Sequence, residues 1–432
     1  MSNDNPFVLL KQRRFLPLFC TQFLGAFNDS VFKNALIILF AFSTTKTLLN
    51  PNTLVNLCAL LFILPFFLFS ALAGELADRF EKSSLIRLIK LAEVILAVLA
   101  TLGFYFEHTF LLLTALFLLG TQATFFGPVK YSIIPQILPN SELIAGNGLI
   151  EMGTFIAILL GTILGGILVS IPMTGVTWVS LSICLTALIG LFSSFFIPKA
   201  KTFVPLLKVQ WSPFQQIVEI KNAVRQNRLM LPAIIGISWF WAYGSIFLTQ
   251  TGTYTRLVLG GNERVASLIL TVFSLGIGFG SMMCSKLAKK FGMGLVPLGA
   301  FGLTLFAIDF AFANSPFPKQ TLSPLTFLSY GQNWRILTDG FLMGTFGGLF
   351  VVPLYTLIQN RSLAEQRSRV IAANNILNAI FMTTAALMSI VLLNLGLSIP
   401  YLFLLTGLLN AGIASYIFKQ EPDFLKNKPL VK

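Results

Sequence analysis

The chain has 432 residues, of which 55% are hydrophobic and only 11% are charged. Soluble domains carry about 25% charged residues, so the composition excludes an ordinary soluble protein with an unusually apolar core. The formal net charge of +14 does not require a nucleic-acid partner, because basic loops facing anionic membrane lipids account for it.

Apolar segments of about 18 residues or more, long enough to cross a bilayer, recur along the whole chain. Helices are expected, because in lipid every backbone polar group must be paired within the spanning segment. The first apolar segment is too long for a signal peptide and is predicted to be retained. The sequence predicts an all-α membrane protein whose twelve transmembrane helices cover residues 15–43, 52–77, 84–106, 109–133, 143–170, 175–197, 230–257, 265–288, 293–313, 334–358, 370–394 and 398–418.

Basic residues predict the orientation of these helices. Twelve spans place both termini on one side, and putting that side in the cytoplasm makes most of the 30 lysines and arginines cytoplasmic, as the positive-inside rule requires. The exceptions are Lys46, Arg256, Arg264 and Lys319 in outside loops, and Lys33, Lys130 and Arg335 within the spans. We therefore predict a multi-pass membrane protein with both termini in the cytoplasm.

One long polar connection, residues 198–229, divides the chain into two six-helix bundles, residues 1–197 and 230–432. Two short echoes relate these halves. Gly74-Glu-Leu-Ala-Asp-Arg-Phe80 resembles Ser285-Lys-Leu-Ala-Lys-Lys-Phe291, and Gly127-Pro-Val-Lys-Tyr131 resembles Val352-Pro-Leu-Tyr355. Repeated halves are typical of secondary transporters, which bind substrate near the bilayer midplane between the repeats.

The segment after the second helix, Gly74-x-Leu-Ala-Asp78-Arg79-Phe-x-Lys82, resembles a signature of the major facilitator superfamily. Glycine allows close helix approach, an aspartate can lie near a helix terminus, and the basic residues face the cytoplasm. The resemblance implies two pseudo-symmetric six-helix halves and a gating role for Gly74, Asp78 and Arg79. The alternative is a charged loop that only sets topology. Because Lys289 replaces the acid in the second half, a matching latch is not expected there.

Several polar residues lie deep within the predicted helices of the first half. The charged ones are Asp29, Lys33, Lys130 and Glu151, and the neutral ones are Asn28, Gln122 and Asn147. Ionisable groups inside a bilayer are costly and by default suggest function. If these helices face one cavity, the residues could bind a zwitterionic headgroup, the amine on a carboxylate and the phosphate on a lysine.

Internal ion pairing is the alternative: Asp29 with Lys33 and Lys130 with Glu151 would then only hold helices together. The other charges within the spans are predicted to be structural; they are Lys90 with Glu93 near a helix end, where side chains can reach water, Arg335 paired with Asp339, and Asp309. The second half carries no comparable mid-membrane charge. A charged wall opposite a largely apolar one favours an amphiphilic substrate.

Three stretches are more specific: Gln22-Phe-Leu-Gly-Ala-Phe-Asn-Asp29, Phe126-Gly-Pro-Val-Lys-Tyr131 and Leu143-Ile-Ala-Gly-Asn-Gly-Leu-Ile-Glu151. Together they are similar to the bacterial lysophospholipid transporter family, also found fused to acyl-ACP–phospholipid acyltransferases. The resemblance implies alternating-access movement of lysophospholipids, chiefly lysophosphatidylethanolamine, from the outer to the inner leaflet of the bacterial inner membrane for re-acylation. It gives Asp29, Lys130, Asn147 and Glu151 functional roles, whereas Lys33 departs from the family pattern. A lysophospholipid acyltransferase is expected to be a separate partner, because the chain ends soon after the last predicted helix.

Two other functions compete with lysophospholipid transport. A proton-coupled exporter of drugs or siderophores, with Asp29 or Glu151 as the titrating acid, is the alternative within transport. A membrane enzyme is not expected, because acyl transfer of the common kind needs a histidine beside an aspartate or an activated nucleophile with its base, and the lone His108, followed by Thr109 and Phe110, offers no such pair. The four cysteines lack metal-ligand spacing, so neither a metal site nor a cofactor is predicted.

Overall fold

The computed structural model describes residues 5–41, 51–205, 229–313, 321–426 and 428–430, together with positions 209, 217, 218, 221, 222, 224 and 225. Within these residues the secondary structure is helical apart from an isolated bridge between Gly261 and Leu322. Lys46 and Lys319, two of the outside-loop lysines in the orientation prediction, and half of the predicted central connection lie outside the described residues.

Twelve long helices, α1 to α12, form the described part of the fold. Their bounds are α1 Leu16–Ala41, α2 Pro51–Arg79, α3 Lys82–Tyr105, α4 Thr109–Ile137, α5 Leu143–Val169, α6 Gly175–Ser194, α7 Met230–Leu257, α8 Glu263–Phe291, α9 Leu295–Phe312, α10 Gly331–Arg361, α11 Arg367–Asn394 and α12 Ile399–Gln420. A short helix, Pro324–Ser329, precedes α10. Among the described residues, ten helical runs are long and apolar enough to cross a membrane, and one of them, Glu263–Phe312, contains both α8 and α9.

Each predicted segment corresponds to one of these helices, and the largest difference in a bound is at the end of α4. That helix was predicted to stop at residue 133 but continues through Pro135 to Ile137. A proline inside a helix leaves the carbonyl four residues earlier without its usual donor. Here that carbonyl belongs to Tyr131, and it accepts a hydrogen bond from Gln359 Nε2 at 3.0 Å. A donor from α10 thus replaces the bond that Pro135 cannot make.

Helix α3 shows how these helices are oriented between lipid and protein. Its outward stripe is apolar and exposed, with Leu88, Ile95 and Leu102 at 63%, 60% and 43% exposure. Its inward face buries Lys90 and Glu93 completely. Apolar residues outside and charges inside are the reverse of a soluble protein, and they place the polar site within the helix bundle.

The two halves repeat the same helix pairings. In the first half α1 packs on α5 and α6, α2 on α4, and α3 on α4 and α6; in the second half α7 packs on α11 and α12, α8 on α10, and α9 on α10 and α12. Between the halves, α5 packs on α8 and α2 packs on α11. If each helix of the first half is matched with the helix six places later, these two pairs are exchanged. The described helices therefore form two pseudo-symmetric six-helix halves, whereas the division at residues 1–197, 198–229 and 230–432 stays a prediction.

Both ends of the chain lie at the same end of the helix bundle, which we call the terminal face. The N-terminal turn Pro6–Lys11 packs on α5, and the C-terminal turn Pro422–Leu425 packs against the turn that precedes α9. Because α5 and α9 both start there, every odd-numbered helix begins at the terminal face. Among the described residues, the contacts that join the halves also lie toward the terminal face.

Candidate functional site

Glu93 organises the polar interior of the first half. Its carboxylate accepts hydrogen bonds from Lys90 Nζ at 2.5 Å, Gln122 Nε2 at 2.8 Å and Asn28 Nδ2 at 3.3 Å. Thr186 of α6 donates in turn to Asn28 Oδ1 at 3.1 Å. Four helices, α1, α3, α4 and α6, are thereby joined through one carboxylate.

This network corrects the interpretation of Lys90 and Glu93 as a pair near a helix end with access to water. Both side chains are 0% exposed. Lys90 lies eight residues into α3, about 12 Å from its start, and its ammonium points to the Glu93 carboxylate and lies over the ring of Phe126 at 5.2 Å. The signal in the sequence was two charges one turn apart within an apolar run. Asn28 and Gln122, which were predicted to meet substrate, bind Glu93 instead in this conformation.

Asp29, Lys33 and Lys130 border this network and are half-buried. The charges that act on Asp29 come from Glu93, Lys90, Lys33 and Lys130, so these five groups form one charged cluster. Asp29 Oδ1 is buried and has no hydrogen-bond partner within the described residues. The alternative, an ion pair of Asp29 with Lys33, is not formed: neither group makes an ion pair within 4 Å in the part of the chain that the structure describes. Lys33 Nζ lies instead 4.9 Å from the centre of the Phe62 ring.

Glu151 lies behind an aromatic layer between the halves rather than in an ion pair with Lys130. Its Oε1 accepts from the hydroxyl of Tyr131 at 2.5 Å. The Tyr131 ring stacks on Tyr355 of the second half, with centroids 4.4 Å apart and planes 6° apart. Trp241 Nε1 donates to the Tyr355 hydroxyl at 3.0 Å. Both tyrosines belong to the two segments of the internal echo, which was the sequence signal for this layer.

Asn147 joins the halves closer to the terminal face. Its side-chain amide exchanges hydrogen bonds with Gln359, at 2.6 Å as donor and 2.9 Å as acceptor. Gln359 also supplies the donor to the carbonyl that Pro135 leaves open. Asn147 was predicted to bind substrate; in this conformation it is fully buried in an amide pair that closes the terminal face.

The signature residues Gly74 and Asp78 lie against the start of α11. A methyl group at Gly74 would come within 2.7 Å of Ala372 Cβ, so glycine permits this approach. Asp78 accepts hydrogen bonds from the backbone N–H of Ser368 at 3.0 Å and from Arg369 Nε at 3.2 Å. A carboxylate at a helix N-terminus is favoured by the exposed N–H groups and by the helix dipole. Arg79 lies over the ring of its neighbour Phe80, within the first half.

Glu81, next to this contact, holds the start of α3 and of the central connection. Its carboxylate accepts from the backbone N–H groups of Ser83 and Ser84 and from that of Ala200 at 2.7 Å. Partial burial would raise the pKa of this carboxyl, but the hydrogen bonds from Ala200, Ser84 and Ser83 lower it to about 2. Glu81 is therefore charged at neutral pH and anchors the chain as it leaves the first half.

On the face opposite the termini, the expected pairing of Arg335 with Asp339 is not formed. Arg335 instead binds Asp309 of α9 with two nitrogens, Nε at 3.0 Å and Nη2 at 2.5 Å. The paired side chains are 49% and 41% exposed. A planar guanidinium prefers this two-point contact with a carboxylate, which a partner one turn away on the same helix does not provide. The pair joins α9 to α10 and is structural, as expected of both residues.

The contacts described between the halves lie toward the terminal face. They include Gly148 against the carbonyl of Ser281, Gly278 against Met152, and Phe155 stacked on Trp241 at 5.6 Å. Each of these residues lies in the part of its helix nearer the terminal face. Together with the Asp78, Asn147 and Tyr131 contacts, they close the protein at this end in the conformation described.

Comparisons with known proteins identify relatives that match most of the chain. A family model described as Major Facilitator Superfamily matches residues 18–329. A protein of Serratia proteamaculans described as lysophospholipid transporter LplT is 26% identical over 372 residues, covering 84% of this chain and 83% of the relative. A protein of Escherichia fergusonii with the same description is 25% identical over 345 residues, covering 79% of this chain and 78% of that one. These relatives confirm the resemblance predicted from the sequence.

Solved structures give the same fold at lower identity. The xylose transporter XylE, described as a proton:xylose symporter, superposes with a TM-score of 0.70 at 14% identity and covers 97% of each chain. FucP, described as a Major Facilitator Superfamily transporter in the outward conformation, superposes with a TM-score of 0.66 at 15% identity. It covers 95% of this chain and 100% of its own. At these identities the likeness concerns the fold alone.

Proposed function

Because this chain belongs to the Major Facilitator Superfamily, we propose that it is a lysophospholipid transporter that works by alternating access. The relatives described as lysophospholipid transporters match about four-fifths of the chain, and this is the observation that carries the proposal. The substrate would be chiefly lysophosphatidylethanolamine, moved from the outer to the inner leaflet of the bacterial inner membrane. A separate lysophospholipid acyltransferase would then re-acylate it.

The charged cluster supports a zwitterionic substrate. Asp29 supplies a carboxylate with an unsatisfied oxygen, and Lys33 and Lys130 supply ammonium groups that make no ion pair within 4 Å among the described residues. A phosphate would bind the lysines and an amine would bind Asp29, each as a charge-assisted hydrogen bond. The Glu93 network positions Asp29, because the adjacent residue Asn28 donates a hydrogen bond to Glu93.

The orientation follows from charge. We assign the terminal face to the cytoplasm, because basic residues of the connecting segments concentrate there. The conformation described is closed at that face, so it would receive substrate from the outer side. The lysolipid headgroup would then meet Asp29, about 20 Å from the start of α1.

Uptake by proteoliposomes tests the proposed function. Purified wild-type protein should accelerate the movement of fluorescent lysophosphatidylethanolamine between leaflets, and Asp29→Asn and Lys130→Gln should each reduce the initial rate about tenfold or more. Arg335→Gln, which alters an exposed pair away from the cluster, serves as the control and should transport normally. The proposal fails if wild-type protein moves no lysolipid, and export of a cationic dye along a proton gradient would then favour the drug exporter.

A further inference from the structure

Glu151 is a buried carboxylate with one oxygen that accepts no hydrogen bond from the described residues. It is 0% exposed, one oxygen accepts from Tyr131, and Oε2 has no hydrogen-bond partner within the described residues. A carboxylate that only stabilises a fold is normally hydrogen-bonded at both oxygens, and an unmet one is costly in a low-dielectric interior. This oxygen is therefore available to a ligand that does not occupy the site in the closed conformation.

The groups around Glu151 suit an ammonium ion. Tyr131, Tyr355 and Trp241 present aromatic rings, and Phe155 lies one turn beyond Glu151 on the same face of α5 and stacks on Trp241. Cations are attracted to the faces of such rings, most strongly where water is excluded. An ammonium already lies over one of them, since Lys130 Nζ is 4.5 Å from the centre of the Tyr131 ring.

The layer is divided by the boundary between the two halves. Tyr131 is hydrogen-bonded to Glu151 within the first half, and Tyr355 is hydrogen-bonded to Trp241 within the second. The contacts in the layer that must break when the halves separate here include the stacked ring pair 4.4 Å apart. Separation would expose the ring faces and the unsatisfied side of Glu151 together.

We propose that Glu151, Tyr131, Tyr355 and Trp241 form a second ammonium site, covered in this conformation and uncovered when the terminal face opens. Asp29 binds the amine of the headgroup first, and Glu151, about 8 Å nearer the terminal face by helix rise, receives it as the path opens. This inference rests on the proposed function and adds a specificity to it. The site favours headgroups with an amine, such as ethanolamine, over glycerol headgroups, which have none.

The test compares two substrates in the same proteoliposomes, lysophosphatidylethanolamine and lysophosphatidylglycerol. Glu151→Gln keeps the size of the side chain and an acceptor for the Tyr131 hydroxyl but removes the charge. It should reduce the initial rate for the ethanolamine lipid about tenfold and that for the glycerol lipid less than twofold. Tyr355→Leu, which removes a ring face from the other half, should change the rate ratio in the same direction.

One control variant and two distinct outcomes keep this inference separate from the proposed function. Arg335→Gln alters an exposed ion pair away from the aromatic layer, so the ratio of the two rates should stay within about twofold of wild type. If Glu151→Gln lowers both rates equally, or leaves the ethanolamine lipid unaffected, the ammonium site is refuted while lysolipid transport stands. If wild-type protein moves neither lipid, the proposed function itself is refuted.

Discussion

Lys90 and Glu93 are two opposite charges enclosed entirely by the first half, and each depends on the other. Neither side chain has any exposed surface, so removal of one leaves a charge in a low-dielectric interior. A buried pair of this kind contributes little net stability, because desolvation offsets the attraction, whereas a broken pair costs several kcal/mol. The pair therefore holds the charged cluster in place next to Asp29.

Single and double neutral substitutions separate these effects. Glu93→Gln or Lys90→Met alone should lower the free energy of unfolding by about 3–5 kcal/mol, because each leaves one buried charge without its partner. The double variant Lys90→Met/Glu93→Gln should be closer to wild type than either single variant. Unfolding in detergent micelles, followed by circular dichroism, provides the measurement.

An exposed ion pair provides the matched control for this comparison. Glu142→Gln breaks the pair with Arg14, whose side chains are 37% and 32% exposed, and should cost under about 1 kcal/mol. A double variant as unstable as the worse single one would mean that the polar network, and not the unpaired charge, determines stability.

The charges of α1, α4 and α5 could be predicted from the sequence, because an ionisable residue inside a long apolar run is recognised without knowledge of packing. The partners could not be predicted. Local sequence does not specify how far α3 is rotated about its axis, and this rotation buries Glu93 between α1 and α4. Arg335 was assigned its nearest acid in the sequence, whereas Asp309, 26 residues away, reaches it in the fold.

At the level of elements, the start of α11 is a contact that only the closed arrangement allows. Asp78 from the end of α2 binds the backbone of Ser368 and the side chain of Arg369, and Gly74 lets the two helices approach. Removal of the Asp78 charge weakens the charge-assisted hydrogen bonds and the interaction with the helix dipole. Only the closed state makes these interactions, so the substitution destabilises the closed state and leaves the open state unchanged.

Asp78→Asn should therefore shift the protein toward an open terminal face. The loss of a hydrogen bond to a charged group is worth about 1.5–3 kcal/mol, or about ten- to hundredfold in population. The rate at which a maleimide labels Ser132→Cys, a buried position at this face, reports the change. Arg79→Gln is the matched control and should label at the parent rate, since Arg79 stacks on Phe80 within the first half. Equal labelling of both variants would exclude Asp78 as a latch.

The positions of the helices could be predicted from the sequence. The contacts that let a helix continue past a proline could not. Hydrophobic length alone located the twelve helices, because the bilayer sets their span. Helix α4 was predicted to end at residue 133, yet it continues through Pro135 because Gln359 from the other half satisfies the Tyr131 carbonyl. A donor 228 residues away decides the end of that helix, and no local pattern contains it.

For the whole molecule, the pairs α2–α11 and α5–α8 are exchanged by the relation between the halves, so the boundary is held by two equivalent helix pairs. The Tyr131–Tyr355 stack joins the two segments of the internal echo across the boundary between the halves. Alternating access then requires that the contacts at the terminal face break in each transport cycle, which a covalent link across the boundary would prevent.

Ser132 and Ser368 provide the position for such a link, because their hydroxyl oxygens are 3.0 Å apart across the two halves. Cysteines at both sites, in a background without the native Cys20, Cys58, Cys184 and Cys284, should form a disulfide on oxidation, since a disulfide requires closely opposed side chains. Oxidised protein should lose lysolipid transport almost completely, and reduction should restore it to the rate of the unoxidised double variant. Each single cysteine variant, treated in the same way, should keep its activity. Full transport by protein that is shown to be crosslinked would mean that the substrate passes without opening the terminal face, and alternating access about this boundary would be wrong.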